Sequence, residues 1–188
     1  IHFTRFFLFV LEDYFNANDV YPYYQAALSY GLSKQPEKKI EALTNVLDAS
    51  PEAEFYPEAL FELGRAYTLN DDDENAFSCF RKLADTVKDS TFVARAYIEM
   101  GSLARNQSQF NEALGYYKTV VEHMPLSGYA EDALLAIESI YQTRNEPEEY
   151  IAYIETIGKG ATKTADEKEN MIFNSAEQVY LSGNYERA

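Results

Sequence analysis

The feature that most restricts the fold of this chain is a spaced set of side chains that returns at a fixed interval. In the stretch LFELGRAYTLNDDDENAFSCF, from Leu60 to Phe80, Leu60, Leu63 and Tyr67 stand at i, i+3 and i+7 and share one helix face. Ala76 and Phe80 make a facing stripe on a second helix. Steps of 37 residues from Leu60 reach Tyr97 (97 − 60 = 37), Leu134 and, backwards, Tyr23. A helical pair of this size cannot bury its apolar face alone, so the spacing predicts 188 residues laid out as one elongated array.

Local chemistry agrees with helical hairpins. Gly64 and Ala76 carry almost no side chain, which lets two helix backbones approach closely. Asn70-Asp71-Asp72-Asp73 reads as a turn whose aspartates cap the second helix by accepting bonds from its free N–H groups. Glu146-Pro147-Glu148-Glu149 repeats the theme, with proline early in a helix. A calcium loop at Asp71, Asp72, Asp73 and Glu74 is the poorer reading, because the central glycine and distant glutamate of an EF-hand are missing.

Leu60, Leu63, Gly64, Tyr67, Ala76 and Phe80 fit the pattern W-x2-L-G-x2-Y…A-x3-F…P, and the chain resembles the tetratricopeptide repeat family. The unit at Tyr97 matches at Met100, Gly101, Ala113, Tyr117 and Pro125. The unit at Leu134 matches at Ile137, Tyr141 and Ile154, with Glu138 and Tyr150 in place of the small residues, so a hairpin opened or packed at an altered angle is expected. The unit at Tyr23 matches at Ala26, Ala27, Tyr30, Leu43 and Pro51, with Lys39 at the usual alanine position.

The resemblance implies an all-α fold, a right-handed alpha-alpha superhelix of about ten helices in antiparallel pairs. The expected repeats cover 20–56, 57–93, 94–130 and 131–167. Residues 1–19 are expected to be the second helix of a preceding repeat, with Phe3, Phe6, Phe7 and Val10 on its inner face, and 168–188 the start of a further, truncated one. The junction from Pro125 to Leu134 resembles that of tetratricopeptide proteins of the bacterial envelope, of the Tol-associated coordinator and outer-membrane assembly lipoprotein type. It implies a periplasmic or outer-membrane-associated setting, with the cytoplasm as alternative.

Composition narrows the partners. A formal charge of −15 leaves no excess of Lys and Arg to neutralise phosphates, which argues against nucleic acid or an anionic membrane surface. The run Phe6 to Leu11 is far shorter than the roughly 20 residues that cross a bilayer. Cys79 has no partner for a disulfide and reads as a packed thiol, and His2 and His123 are too few and too far apart for a zinc site. Nucleophile-elbow, P-loop, dinucleotide and zinc-protease motifs are lacking, so no catalysis, cofactor or metal is expected.

In the resembling family the first helices line a groove, at positions one, five and eight residues after the first template residue. Carried over, these are Tyr24, Leu28 and Gly31; Phe61, Arg65 and Thr68; Ile98, Ser102 and Arg105; Leu135, Ser139 and Gln142. The set is apolar with two arginines and suits a protein or peptide partner. The carboxylate clamp of chaperone-binding members is not reproduced: its positions hold Tyr24, Leu28, Glu62, Arg95 and Glu99. The expected function is a non-catalytic protein-interaction scaffold. A structural spacer and, because of the 16 tyrosines, a glycan-binding protein are the alternatives, and self-association through the chain's ends is a further expectation.

Overall fold

The structure is a computed structural model that describes residues 20–184. Among them are nine α-helices, one 3-10 turn (Gly160–Thr162) and no strand. The helices are α1 (Tyr21–Leu32), α2 (Pro36–Ala49), α3 (Tyr56–Leu69), α4 (Asp73–Thr86), α5 (Ser90–Asn106), α6 (Phe110–His123), α7 (Ala130–Thr143), α8 (Pro147–Thr156) and α9 (Ala165–Leu181). The all-α class is as expected. The readings made for residues 1–19 and 185–188 lie outside the described residues.

The 37-residue interval reappears in the helix ends. α1, α3, α5 and α7 end at Leu32, Leu69, Asn106 and Thr143, and their partners begin at Pro36, Asp73, Phe110 and Pro147. A turn at the same place in every unit fixes both. Lys34, Asp71, Ser108 and Asn145 have φ of 55°, 56°, 60° and 53°, in the left-handed region. The next residue's N–H then reaches back five positions: Gln35 donates to the Tyr30 carbonyl, Asp72 to Tyr67, Gln109 to Ala104 and Glu146 to Tyr141, at 3.0, 3.0, 2.8 and 2.9 Å. These are Schellman turns, which satisfy the carbonyls that a helix end leaves bare.

Starts are secured differently from unit to unit. Pro22, Pro36, Pro57 and Pro147 occupy first-turn positions of α1, α2, α3 and α8, where the missing N–H costs nothing. The Asp72 carboxylate accepts from the Asn75 N–H at 3.2 Å and caps α4. Thr164 and Glu167 form a reciprocal capping box that opens α9.

Packing divides the chain into two compact units, one ending at Leu103 and one beginning at Ala104. In the first, α1 packs on α2, α2 on α3 and α3 on α4; in the second, α6 packs on α7, α7 on α8 and α8 on α9. Both draw their cores from the repeat positions. Leu43 and Phe80 in the first unit and Tyr117 and Ile154 in the second occupy one position of the 37-residue register, and all four are buried. Each such side chain contributes about 1.5–3 kcal/mol.

Gly64 shows why one position must stay small. A Cβ there would lie 2.6, 2.8 and 3.0 Å from three atoms of the fully buried Phe80 ring. The ring of the second helix, rather than Ala76, fills the space that the glycine leaves. In the last hairpin the corresponding residues are Glu138 and Tyr150. Tyr150 is buried and its hydroxyl donates to Glu138 Oε2 at 3.0 Å, so a polar pair joins the helices where small residues do so in α3 and α4. Burial and the adjacent Glu138 carboxylate both hold the Tyr150 phenol in its neutral form.

Gly64→Ala is expected to lower stability by about 1–3 kcal/mol through overpacking against Phe80, read as a shift in the urea midpoint, with partial recovery in Gly64→Ala/Phe80→Leu. Ser108→Gly should raise stability by up to about 1 kcal/mol, since left-handed strain costs an L-residue roughly 1–2 kcal/mol and a glycine's added chain entropy returns about half. Ser108→Val should do the reverse.

Candidate functional site

In the first unit the turn after α1 leaves a cleft of about 880 Å³ against the start of α2 and one face of α3. Leu28 and Ala66 supply apolar lining. Leu32 and Leu69, each the last residue of a first helix, stand at its edge 89% and 73% exposed. Neither leucine contributes to the core, so their exposure is a cost to solubility with no return in folding.

A charged ladder runs beside this apolar surface. The Lys39 stem lies against Gly31, where an added Cβ would meet Lys39 Cδ at 3.2 Å, and its buried ammonium donates to Glu62 Oε2 at 2.5 Å. The other Glu62 oxygen accepts from Arg65 at 3.3 Å. Glu58 accepts from Arg95 at 3.1 Å, and the Arg95 guanidinium sits 3.8 Å from the centroid of the Phe61 ring. Glu99 lies in the field of Arg65 and Arg95, yet burial outweighs both and raises its carboxyl above the ordinary range. Tyr24 stacks on Phe55 with centroids 4.9 Å apart and planes at 14°. Burial, then Glu58 and Glu62, push its hydroxyl up to about 12, so it stays neutral.

Of the residues expected in a groove, Tyr24, Leu28, Gly31 and Arg65 line this cleft. Phe61 is buried, 5.6 Å from Phe80 between ring centroids and under Arg95. Thr68 is half-buried and donates to the Gly64 carbonyl at 3.2 Å. On α5, Ile98 and Ser102 are half-buried and Arg105 is exposed. On α7, Leu135 and Gln142 are exposed and Ser139 is half-buried; Gln142 Nε2 donates to Glu138 Oε1 at 3.3 Å. Leu32, Leu69, Lys39 and Glu62 also line the cleft, although none of them was an expected groove position. The two leucines carried a signal: they recur 37 residues apart, just before a turn.

A second hollow, of about 520 Å³, lies in the other unit among α6, α7 and α8. Its polar groups engage one another. Arg144 meets Glu146 at 2.7 Å and donates to Asn111 Oδ1 at 2.7 Å, while the Lys118 ammonium donates to the Tyr141 hydroxyl at 3.1 Å and lies 4.5 Å from the Tyr153 ring centroid. Cys79 is buried, and burial pushes its thiol up to about 11, which keeps it protonated and unreactive. Among the described residues no helix is long and apolar enough to cross a membrane, and no group of three or more His, Cys, Asp and Glu is placed to hold a metal ion.

The geometry now meets known proteins. Residues 58–90, which hold all but the first two residues of α3, its Schellman turn and α4, match the tetratricopeptide repeat model. This hairpin is a tetratricopeptide repeat. Its fold is similar to that of two crystal structures of MamA, at 18% and 19% identity, TM-scores of 0.60 and 0.59, and coverage of 97% and 98% of this chain and 90% and 85% of theirs. It is also similar to a putative kinesin light chain of Podosopora anserina with nearly identical TPR-like repeats, at 14% identity and a TM-score of 0.58, covering 92% of this chain and 90% of that one. At such identities the likeness is one of fold. No curated protein matches the chain. Tetratricopeptide domains are generally protein-interaction scaffolds.

The raised Glu99 carboxyl has a pH consequence. The folded state holds this proton more tightly than the unfolded chain, so its contribution is fully present below the ordinary carboxylate range and is lost as pH rises through the raised value. Glu99→Gln should therefore stabilise the protein relative to the parent more at about pH 8 than at about pH 5, measured by urea denaturation.

Proposed function

We propose that this tetratricopeptide protein is a non-catalytic scaffold and that the cleft between α1 and α3 holds an apolar segment of a protein partner. The observation that carries the reading is the pair Leu32 and Leu69, exposed on one side of a pocket whose floor is already apolar. A partner side chain seated between them would bury surface at about 25 cal/mol per Å². Arg65, about half exposed and tied to Glu62 only by a 3.3 Å contact, supplies a guanidinium for a carboxylate on the same segment. Within each unit the remaining first-helix positions belong to this proposal, Ile98 and Ser102 in the first and Arg105, Leu135, Ser139 and Gln142 in the second, as does the division into repeats at 20–56, 57–93, 94–130 and 131–167. A bacterial envelope setting is proposed on the Pro125 to Leu134 junction.

Phe61 is a poor probe of the cleft, because truncating a buried phenylalanine costs about 3–5 kcal/mol of stability. Leu69 and Arg65 are exposed and can be changed without touching the core. A photo-reactive residue at position 69 is expected to give a discrete adduct with one partner in cells, diminished by Arg65→Glu, whereas the same probe at exposed Asp85 on α4 gives none. Equal labelling from both positions, or none from position 69, would contradict the assignment.

A further inference from the structure

We propose that the hollow of about 520 Å³ among α6, α7 and α8 binds a small linear zwitterion, a carboxylate and an ammonium joined by a short apolar chain. Its walls are the two second helices and the end of α7, and none of the first-helix positions expected in a groove enters it. Gly115 is the first sign of a site. It stands in the interior of α6 with an ordinary helical backbone, where glycine is unfavourable. A Cβ built on it would meet nothing within 4 Å. Packing therefore does not demand glycine here, as it does at Gly64, and its effect is to leave the hollow open.

The contacts within the hollow order its polar groups and leave two charges unmatched. Half-buried Lys118 donates to the Tyr141 hydroxyl at 3.1 Å, and its ammonium lies 4.5 Å from the Tyr153 ring centroid. The remaining N–H groups of that ammonium have no protein acceptor, and no carboxylate among the described residues pairs with it. Exposed Glu149 lines the same hollow and pairs with no cation among the described residues, Lys118 included. Arg144 is engaged by Glu146 and by Asn111 Oδ1, each at 2.7 Å, and the second bond leaves the Asn111 Nδ2 group as a further donor. Two 37-residue steps back, Gly115, Lys118 and Glu149 correspond to Glu41, Thr44 and Asn75, so the glycine and the two charges belong to this hollow rather than to the repeat. A cation and an anion that share a hollow without pairing match a ligand that carries both charges. Buried Leu114 and the Tyr141 ring in the same lining suit a short hydrocarbon chain between them. Because two tyrosines already hold Lys118, ordering that long side chain is not a cost of binding.

The test is an NMR titration of the isotope-labelled full chain with 6-aminohexanoate, hexanoate and hexylamine, which differ only in the charges at their ends. Saturable shifts of the Gly115 and Lys118 amides are expected with 6-aminohexanoate, and binding at least about tenfold weaker with either singly charged probe. Lys118→Met and Glu149→Gln should each weaken 6-aminohexanoate by about tenfold. Gly115→Leu should abolish its binding by filling the hollow, with a urea midpoint at or above that of the parent, so that loss of binding is not loss of fold. Leu69→Ser should change nothing, which separates this site from the cleft between α1 and α3. Equal binding of hexanoate or hexylamine would overturn the proposal, because one charge would then suffice. So would binding that survives Lys118→Met or Gly115→Leu, or the absence of saturation below about 50 mM.

Discussion

The repeat among the described residues depends on one backbone turn, which closes four first helices with four different residues. At Lys34, Asp71, Ser108 and Asn145 the chain enters the left-handed region, and the following N–H closes a bond to the carbonyl five residues back. The turn ends each first helix and aims the chain into the next. Because it recurs every 37 residues, Leu43, Phe80, Tyr117 and Ile154 reach equivalent buried places although they differ in size and shape. Register is thus set by the backbone, and the side chains are left free to vary around it.

That freedom explains how the hairpins solve the same contact by different chemistry. Where α3 meets α4, Gly64 makes room for the Phe80 ring. Where α1 meets α2, Lys39 takes the place of a small residue, and its stem crosses Gly31 to reach Glu62 of the next hairpin. Where α7 meets α8, Tyr150 donates to Glu138, which Lys163 also holds. A buried pair of this kind adds little net stability, but removing one partner costs roughly 3–5 kcal/mol, so such pairs specify which helices sit together. The exposed leucines at Leu32 and Leu69 and the aromatics at Phe173 and Tyr180 stand outside this scheme, and surface that does not serve folding is where partners are to be sought.

The period, the all-α class and the hairpin positions were legible in the sequence because Leu, Gly, Tyr, Ala and Phe each occupy a place that sterics dictates. The turn itself was hidden. Left-handed positions are usually sought through glycine, which holds them at Gly158 and Gly183, whereas Lys, Asp, Ser and Asn hold the four that close α1, α3, α5 and α7. Phe61 was read as facing a groove, yet it lies between Phe80 and Arg95, because a cation on the following first helix covers that ring. The cleft was only half visible, since Lys39 looked like a departure from pattern rather than a strut. The register of α9 was out of reach while a strict 37-residue step was applied, because its closing turn at Gly183 lies 38 residues after Asn145.

The most direct measurement is the backbone conformation of the four turn residues in solution, by NMR of the isotope-labelled chain. The structure predicts strong intraresidue amide-to-Hα contacts, the mark of positive φ, at Lys34, Asp71, Ser108 and Asn145, with slow amide exchange at Gln35, Asp72, Gln109 and Glu146. Negative φ at these positions, or amides that exchange as fast as those of open loops, would contradict a repeat fixed by its turns.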